Sequence, residues 1–164
     1  MDARLIALKL FLNELGISEN TSTIENRKLI QKGVYLGQCA GADLGYRFGW
    51  DKMGPFSADL ARDYYLLSDS LALGNQDYEG MMLQPQTRQA LKQVLPLMKA
   101  PKGVELTQAD WLELLSSLHF MRKIRGYDAA TARKALETEK PKLSHFVEQA
   151  KDKLKEVRSL NLNS

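Results

Sequence analysis

The sequence predicts a mainly helical domain with one small two-stranded β element. Three observations carry this. Apolar residues recur at three- and four-residue intervals in most segments between Gly and Pro breaks. Ser, Thr or Asp stands where several of these segments begin. Only one stretch, Ala42 to Met53, alternates with period two. At 164 residues, 44% hydrophobic and 26% charged, the chain has the size and composition of one soluble domain over residues 1–164, with six or seven helices.

The first helix runs from Ala3 to Leu15, with Leu5, Leu8, Leu12 and Leu15 in one stripe, widened by Ile6 and Phe11, and stops at Gly16. The second runs from Thr23 to about Ala40. Thr23 can cap its free N–H groups and Glu25 suits the positive end of its dipole. Its Leu29, Ile30, Val34 and Leu36 cover so wide an arc that burial on more than one side is expected. Gly33, Gly37 and Gly41 form a ridge without side chains, which predicts close approach of another element's backbone, because interior glycines cost a helix roughly 1 kcal/mol each.

From Ala42 to Met53 the alternation places Tyr46, Phe48 and Trp50 on one face and Arg47, Gly49 and Asp51 on the other. Gly54-Pro55 closes this strand as a turn, and Ser57 caps a third helix whose stripe is Leu60, Tyr64, Leu67 and Leu71, ending at Gly74-Asn75. Met81-Met82-Leu83 is the candidate second strand. Pro85 opens a helix over Thr87 to Met98 that bends or stops near Pro96. Thr107, with Asp110 three residues on, caps a helix burying Trp111, Leu114, Leu115, Leu118 and Met121 as far as Gly126. Asp128 opens a short helix to about Leu136, and Pro141 a last one with Leu143, Phe146 or Val147, Ala150, Leu154 and Val157 inward. That last stripe either docks on the body or pairs two copies into a homodimer. The tail Asn161 to Ser164 reads as frayed.

Chemistry is sparse. The single cysteine, Cys39, excludes an internal disulfide and suits a reducing, cytoplasmic setting; no window has the roughly 20 apolar residues of a membrane span. His119 and His145 stand on separate helices without ligand spacing, so no metal is expected, and both read as ordinary packed or surface residues. No phosphate-cradling glycine motif occurs and no cofactor is expected. Residues 121–164 hold 11 Lys/Arg against 6 Asp/Glu, which makes the C-terminal part the basic one. Asp59 and Asp63, four apart and flanking Arg62, have the spacing of an acid/base pair, though the helix dipole and a surface pair with Arg62 explain it without catalysis.

The runs IENRKLIQKGVYLGQ (Ile24 to Gln38) and LGYRFGWDKMGPFSADLARDY (Leu44 to Tyr64) resemble the bacterial YwgA-like proteins, in which a helix carrying LQK-x-x-Y-L precedes an aromatic strand and a Gly-Pro-[Tyr/Phe]-Ser turn. The order of elements is also similar to the Panacea domain of SocA-like antitoxins. SSLHFMRK (Ser116 to Lys123) and EKPKLSHFVEQAKDKL (Glu139 to Leu154) fit the helical second half. The resemblance implies a small, winged-helix-like prokaryotic domain, often encoded beside mobile or defence-related genes, and implies no catalytic residue. Trp50-Asp51-Lys52-Met53 departs from the tyrosine-rich family pattern.

The leading expectation is therefore a non-enzymatic regulatory or antitoxin-like module. It would bind another protein, a toxin or defence component, through Arg47, Asp51, Met53, Pro55 and Phe56. The alternative is nucleic-acid binding through Arg122, Lys123, Arg125, Lys151 and Lys155, and a third is a hydrolase using Asp59 and Asp63.

Overall fold

The computed structural model describes residues 1–163. Two helices form its centre. In α2 (Ile24–Cys39) every residue from Ile30 to Gly37 is buried, and in α5 (Gln108–His119) every residue from Trp111 to His119 is. They pack on each other, and the remaining helices are arranged around them: α1 (Ala3–Leu15), α3 (Ala58–Ala72), α4 (Pro85–Val94), α6 (Ala129–Glu139), α7 (Pro141–Ser144) and α8 (Val147–Lys155). The wide apolar arc read in the sequence of α2 reflects this central position. One continuous apolar core joins them, with Phe11, Leu36, Leu67, Leu91, Trp111 and Leu154 among its buried members.

The helix starts lie where capping chemistry predicts. Thr23, Ser57, Thr107 and Asp128 each accept a hydrogen bond from the backbone N–H three residues on. Pro96 converts the end of α4 into a 3-10 turn, Leu95–Met98. The helix from Thr107 changes character before Gly126. After His119 it widens into a π-helical turn, Phe120–Ile124, closed by the Arg125 N–H bonding the Phe120 carbonyl at 3.0 Å. The last predicted helix is two: α7 and α8 are separated at His145-Phe146, where Phe146 leaves helical geometry (φ −113°, ψ 20°), bringing the described α-helices to eight.

The β element differs from the expected pairing. Gly54-Pro55 does not close the sheet; it belongs to the second strand. β1 (Gly49–Asp51) and β2 (Gly54–Phe56) form an antiparallel hairpin over the loop Lys52-Met53, with Trp50 opposite Pro55 and Asp51 opposite Gly54. Met81 and Met82 are exposed and in no strand. The stretch before β1 keeps the alternation, Leu44, Tyr46, Phe48 and Trp50 in and Gly45, Arg47, Gly49 and Asp51 out, without a ladder. Its backbone is held by a side chain: Gln38 accepts from the N–H groups of Leu44 and Tyr46 and donates to the Tyr46 carbonyl. A glutamine on α2 thus takes the place of a neighbouring strand.

The glycine ridge is used differently from the expectation. Side chains, not a backbone, fill it. A Cβ on Gly33 would sit 2.5 Å from Ile17 Cδ1, and one on Gly37 would meet Phe11 Cζ and, at 2.9 Å, Leu91 Cδ2. The ridge therefore seats α1 and α4, whereas the aromatic stretch packs on Tyr35, whose ring meets Phe48 edge-on at 5.4 Å. The stripe of the last helix, Val147, Ala150, Leu154 and Val157, is buried in this same core, with α8 against α5; it docks on the body and is not left open for a second copy. Leu160 and Leu162 are buried too, so the tail is packed as far as Leu162, Asn163 is exposed, and Ser164 lies outside the described residues.

Gly37→Ala is expected to lower folding stability by about 1–3 kcal/mol through overpacking against Phe11 and Leu91, read as a lower urea midpoint. Gly49→Ala, which has open space around the new methyl, should stay within about 0.5 kcal/mol of the parent.

Candidate functional site

Three lysines converge beneath the hairpin. Lys32 of α2 is 2% exposed, and its ammonium donates to the Pro55 carbonyl at 2.7 Å. Lys140, 6% exposed, donates to the Lys52 carbonyl and to Glu113 Oε2, both at 2.7 Å. Lys28 bridges Glu113 Oε1 at 2.5 Å and Asp110 Oδ1 at 2.6 Å. Glu113, projecting from the middle of α5, is thus shared by two lysines, one from each side. Local conformation aims Lys140 inward. The residue preceding a proline is excluded from the helical region, and Lys140, between α6 and Pro141, has φ −139° and ψ 60°.

Lys32 has no such carboxylate. Among the described residues it forms no ion pair; the two oxygens of Glu113 face Lys28 and Lys140 instead. Burial pushes its pKa down to about 7, Glu113 counteracts this in part, and the charges of Lys140 and Lys28 add to the lowering. For Lys28, burial opposes the charge, but Asp110 and Glu113 outweigh it and the pKa lies above 10.5.

Two further contacts seat the hairpin. Gln31 accepts from the Ser57 N–H and donates to the Ser57 carbonyl, both at 2.9 Å, which fixes the start of α3. Gly54 (φ +94°) lies directly on α5: a Cβ there would be 2.5 Å from Ser117 Oγ, a buried hydroxyl without a hydrogen-bond partner among the described residues. Both the backbone conformation and the contact demand glycine.

Between α2 and the hairpin opens a cavity of about 320 Å³. Ile24, Met53 and Phe56 give it an apolar rim, with Ile24 58% and Met53 45% exposed. Arg27, Lys28 and Lys52 supply cations against Asp51, and Lys32 forms part of the wall.

Of the residues expected to bind a partner, Asp51, Met53 and Phe56 line this cavity. Pro55 does not belong to an exposed surface: its ring is buried by the strand pairing and its carbonyl is taken by Lys32. Arg47 is exposed on the outer side of the extended stretch, away from the cavity lining. Ile24, Arg27, Lys28, Lys32 and Lys52 were not singled out from the sequence. The available signal was an apolar arc on α2 too wide to leave Gln31 and Lys32 a solvated side.

The basic residues expected at a nucleic-acid face are dispersed over separate contacts. The Arg125 guanidinium lies 4.9 Å from the Trp50 ring, with Phe120 and Tyr127 at 5.8 and 5.9 Å. Lys123 is exposed on the π turn. Arg122 and Lys151 share a second cavity of about 240 Å³ with the Arg133–Glu148 ion pair, and Lys155 lies beyond it near Lys151.

The two acids differ in setting: Asp63 is buried and accepts from the Tyr46 hydroxyl at 2.8 Å and from Arg4 at 3.4 Å, Asp59 is exposed, and Arg62 bridges the two at 3.7 Å from each, as a surface pairing would have it. His119 is packed, with its Nδ1 2.7 Å from the Tyr35 hydroxyl. Burial, and secondarily Lys123, pushes its pKa down to about 4, so the ring is neutral at pH 7. Burial raises the Cys39 thiol to about 11, so it is not a thiolate at neutral pH. His145 is exposed on the α7–α8 joint.

No described helix is long and apolar enough to cross a membrane, and no group of three or more His, Cys, Asp or Glu among the described residues is placed to hold a metal ion. Comparison with protein-family models, with curated proteins and with solved structures found no match.

The lowered pKa of Lys32 makes a signed prediction. The unfolded chain keeps the ordinary value of 10.5, so between about pH 7 and 10.5 it holds a proton the folded state lacks. Stability gained from Lys32 is complete above 10.5 and is lost as pH falls toward 7, with a slope of at most about 1.4 kcal/mol per pH unit. Urea titrations of Lys32→Met across this range should show a shallower rise with pH than the parent; parallel curves would contradict the assignment.

Proposed function

We propose that the protein is a non-enzymatic regulatory module that captures a short acidic segment of another protein in the cavity between α2 and the hairpin. The observation that carries this reading is the composition of the cavity rim. Exposed apolar side chains, Ile24 and Met53, stand beside Arg27 and Lys52, and among the described residues Lys28 alone of the cavity's cations is paired with carboxylates, those of Asp110 and Glu113. An exposed apolar anchor beside an excess of cations, Arg27, Lys28 and Lys52 against the single carboxylate of Asp51, suits a segment with one large apolar side chain and nearby Asp or Glu. The apolar contact supplies affinity, and the charges supply orientation and exclude basic segments.

The rim is well prepared for this. Met53 is at the tip of a two-residue loop whose base is held by Lys140 and Lys32, so little ordering is required on binding. Such a module fits the antitoxin-like role that the family resemblance implies, in which a small domain neutralises a partner by occupying one of its segments.

Selection of displayed peptides on the immobilised protein is expected to enrich sequences with a large apolar residue within a few positions of Asp or Glu. Met53→Asp should weaken the selected peptides by about tenfold or more, equivalent to about 1.4 kcal/mol. Its thermal midpoint should stay near the parent's, because Met53 is half out of the fold. Unbiased peptides, or binding indifferent to Met53→Asp, would refute the reading.

A further inference from the structure

The buried amine at the cavity wall has a chemistry the protein-binding reading does not use. We propose that Lys32 is an imine-forming amine, and that the cavity between α2 and the hairpin admits a small 2-oxo carboxylic acid to it. Three features of the structure converge on this.

The first is the state of the amine. Lys32 is enclosed and makes no ion pair among the described residues; Glu113, paired with Lys28 and Lys140, offsets its burial only in part, and the charges of those two lysines add to the lowering. A lysine desolvated beside other cations is the arrangement that makes an amine nucleophilic, since the charged form is disfavoured and a lone pair is free. Its bond to the Pro55 carbonyl uses one N–H and orients the nitrogen.

The second is room. A cavity of about 320 Å³ is about ten times the share of one water in the liquid, ≈ 30 Å³, ample for a molecule of a few heavy atoms.

The third is the rim, which accounts for the acid in the proposed class. Arg27 and Lys52 line the same cavity. Arg27 spends one nitrogen on the Thr21 carbonyl and keeps its other donors, and Lys52 engages the fold through its backbone carbonyl. A carboxylate held by them would place the adjacent keto carbon within the same cavity whose wall includes Lys32. Asp51, on the hairpin side, is the one lining carboxylate and disfavours dianions.

The reaction balances without a co-reactant. The Lys32 nitrogen adds to the keto carbon, forming the C–N bond while the carbonyl oxygen takes up a proton. The resulting carbinolamine then loses that oxygen as water, so amine plus ketone becomes imine plus one water with no change in oxidation level. The proposal is independent of a protein partner, since its readout is a covalent adduct.

The test uses the full chain at neutral pH with glyoxylate and, separately, pyruvate, each trapped with cyanoborohydride and mapped by peptide mass spectrometry; acetone serves as the carbonyl without an acid. Reduced adducts are expected at Lys32 at least about tenfold faster than at the exposed Lys102 and Lys142, with saturation in the oxo acid. Arg27→Met, which keeps Lys32, should slow the oxo-acid adduct and leave the acetone adduct unchanged. Labelling confined to exposed lysines, or labelling of Lys32 that neither saturates nor responds to Arg27→Met, would overturn it. Retention of the circular-dichroism spectrum by Arg27→Met separates loss of the site from loss of the fold.

Discussion

The Glu113 carboxylate is the interaction on which the rest depends. It is 7% exposed, and it reconciles two buried ammonium groups that reach it from opposite ends of the chain, Lys28 and Lys140. Removing a lysine from water costs several kcal/mol unless its charge and protons are satisfied. Here the satisfaction comes from one acid on the central helix together with backbone carbonyls of the hairpin. Lys140 joins Glu113 to Lys52, and Lys32 joins α2 to Pro55, so lysine donors attach the β element to the helical body alongside the packing of Trp50 on Phe120. A two-stranded hairpin is marginal by itself in water; these bonds, the Gly54–Ser117 contact and the Gln31–Ser57 pair hold it in place.

This arrangement has a functional consequence. Glu113 pairs with two of the three lysines, with Asp110 adding a second carboxylate at Lys28, and the third, Lys32, is left with a carbonyl in the wall of a cavity. The asymmetry creates an amine that is buried yet poorly suited to carry charge, next to a rim whose apolar and cationic side chains are exposed. Structural attachment of the hairpin and chemical character of the cavity therefore have a common origin.

Much of the fold was legible in local patterns. Thr23, Ser57, Thr107 and Asp128 mark helix starts because a side-chain oxygen must satisfy free N–H groups within three residues, a requirement that never leaves the segment. The alternation of Tyr46, Phe48 and Trp50 was equally plain. Its hydrogen bonding was not, because Gln38 supplies the partner that period-two reasoning assigns to a strand. The glycine ridge on α2 announced a close approach but not by what, since Phe11, Ile17 and Leu91 come from elsewhere in the chain. The site was less legible for the same reason. Lys140 meets Glu113 across 27 residues and Lys52 across 88, and Lys32 meets Pro55 across 23. In a sequence each of these lysines reads as a solvated charge; the packing of α2 against α5 turns Lys32 inward, and the pre-proline conformation between α6 and α7 does so for Lys140.

The central claim, that buried lysines attach the hairpin to the helical body, is tested most directly by amide hydrogen exchange in Lys140→Met. Losing the bonds to Glu113 and to the Lys52 carbonyl should speed exchange in residues 49–56 by about tenfold or more, as local opening becomes cheaper. Amides of α1 and α4 should exchange as in the parent. A uniform change along the chain, or unaltered protection of the hairpin, would contradict the account.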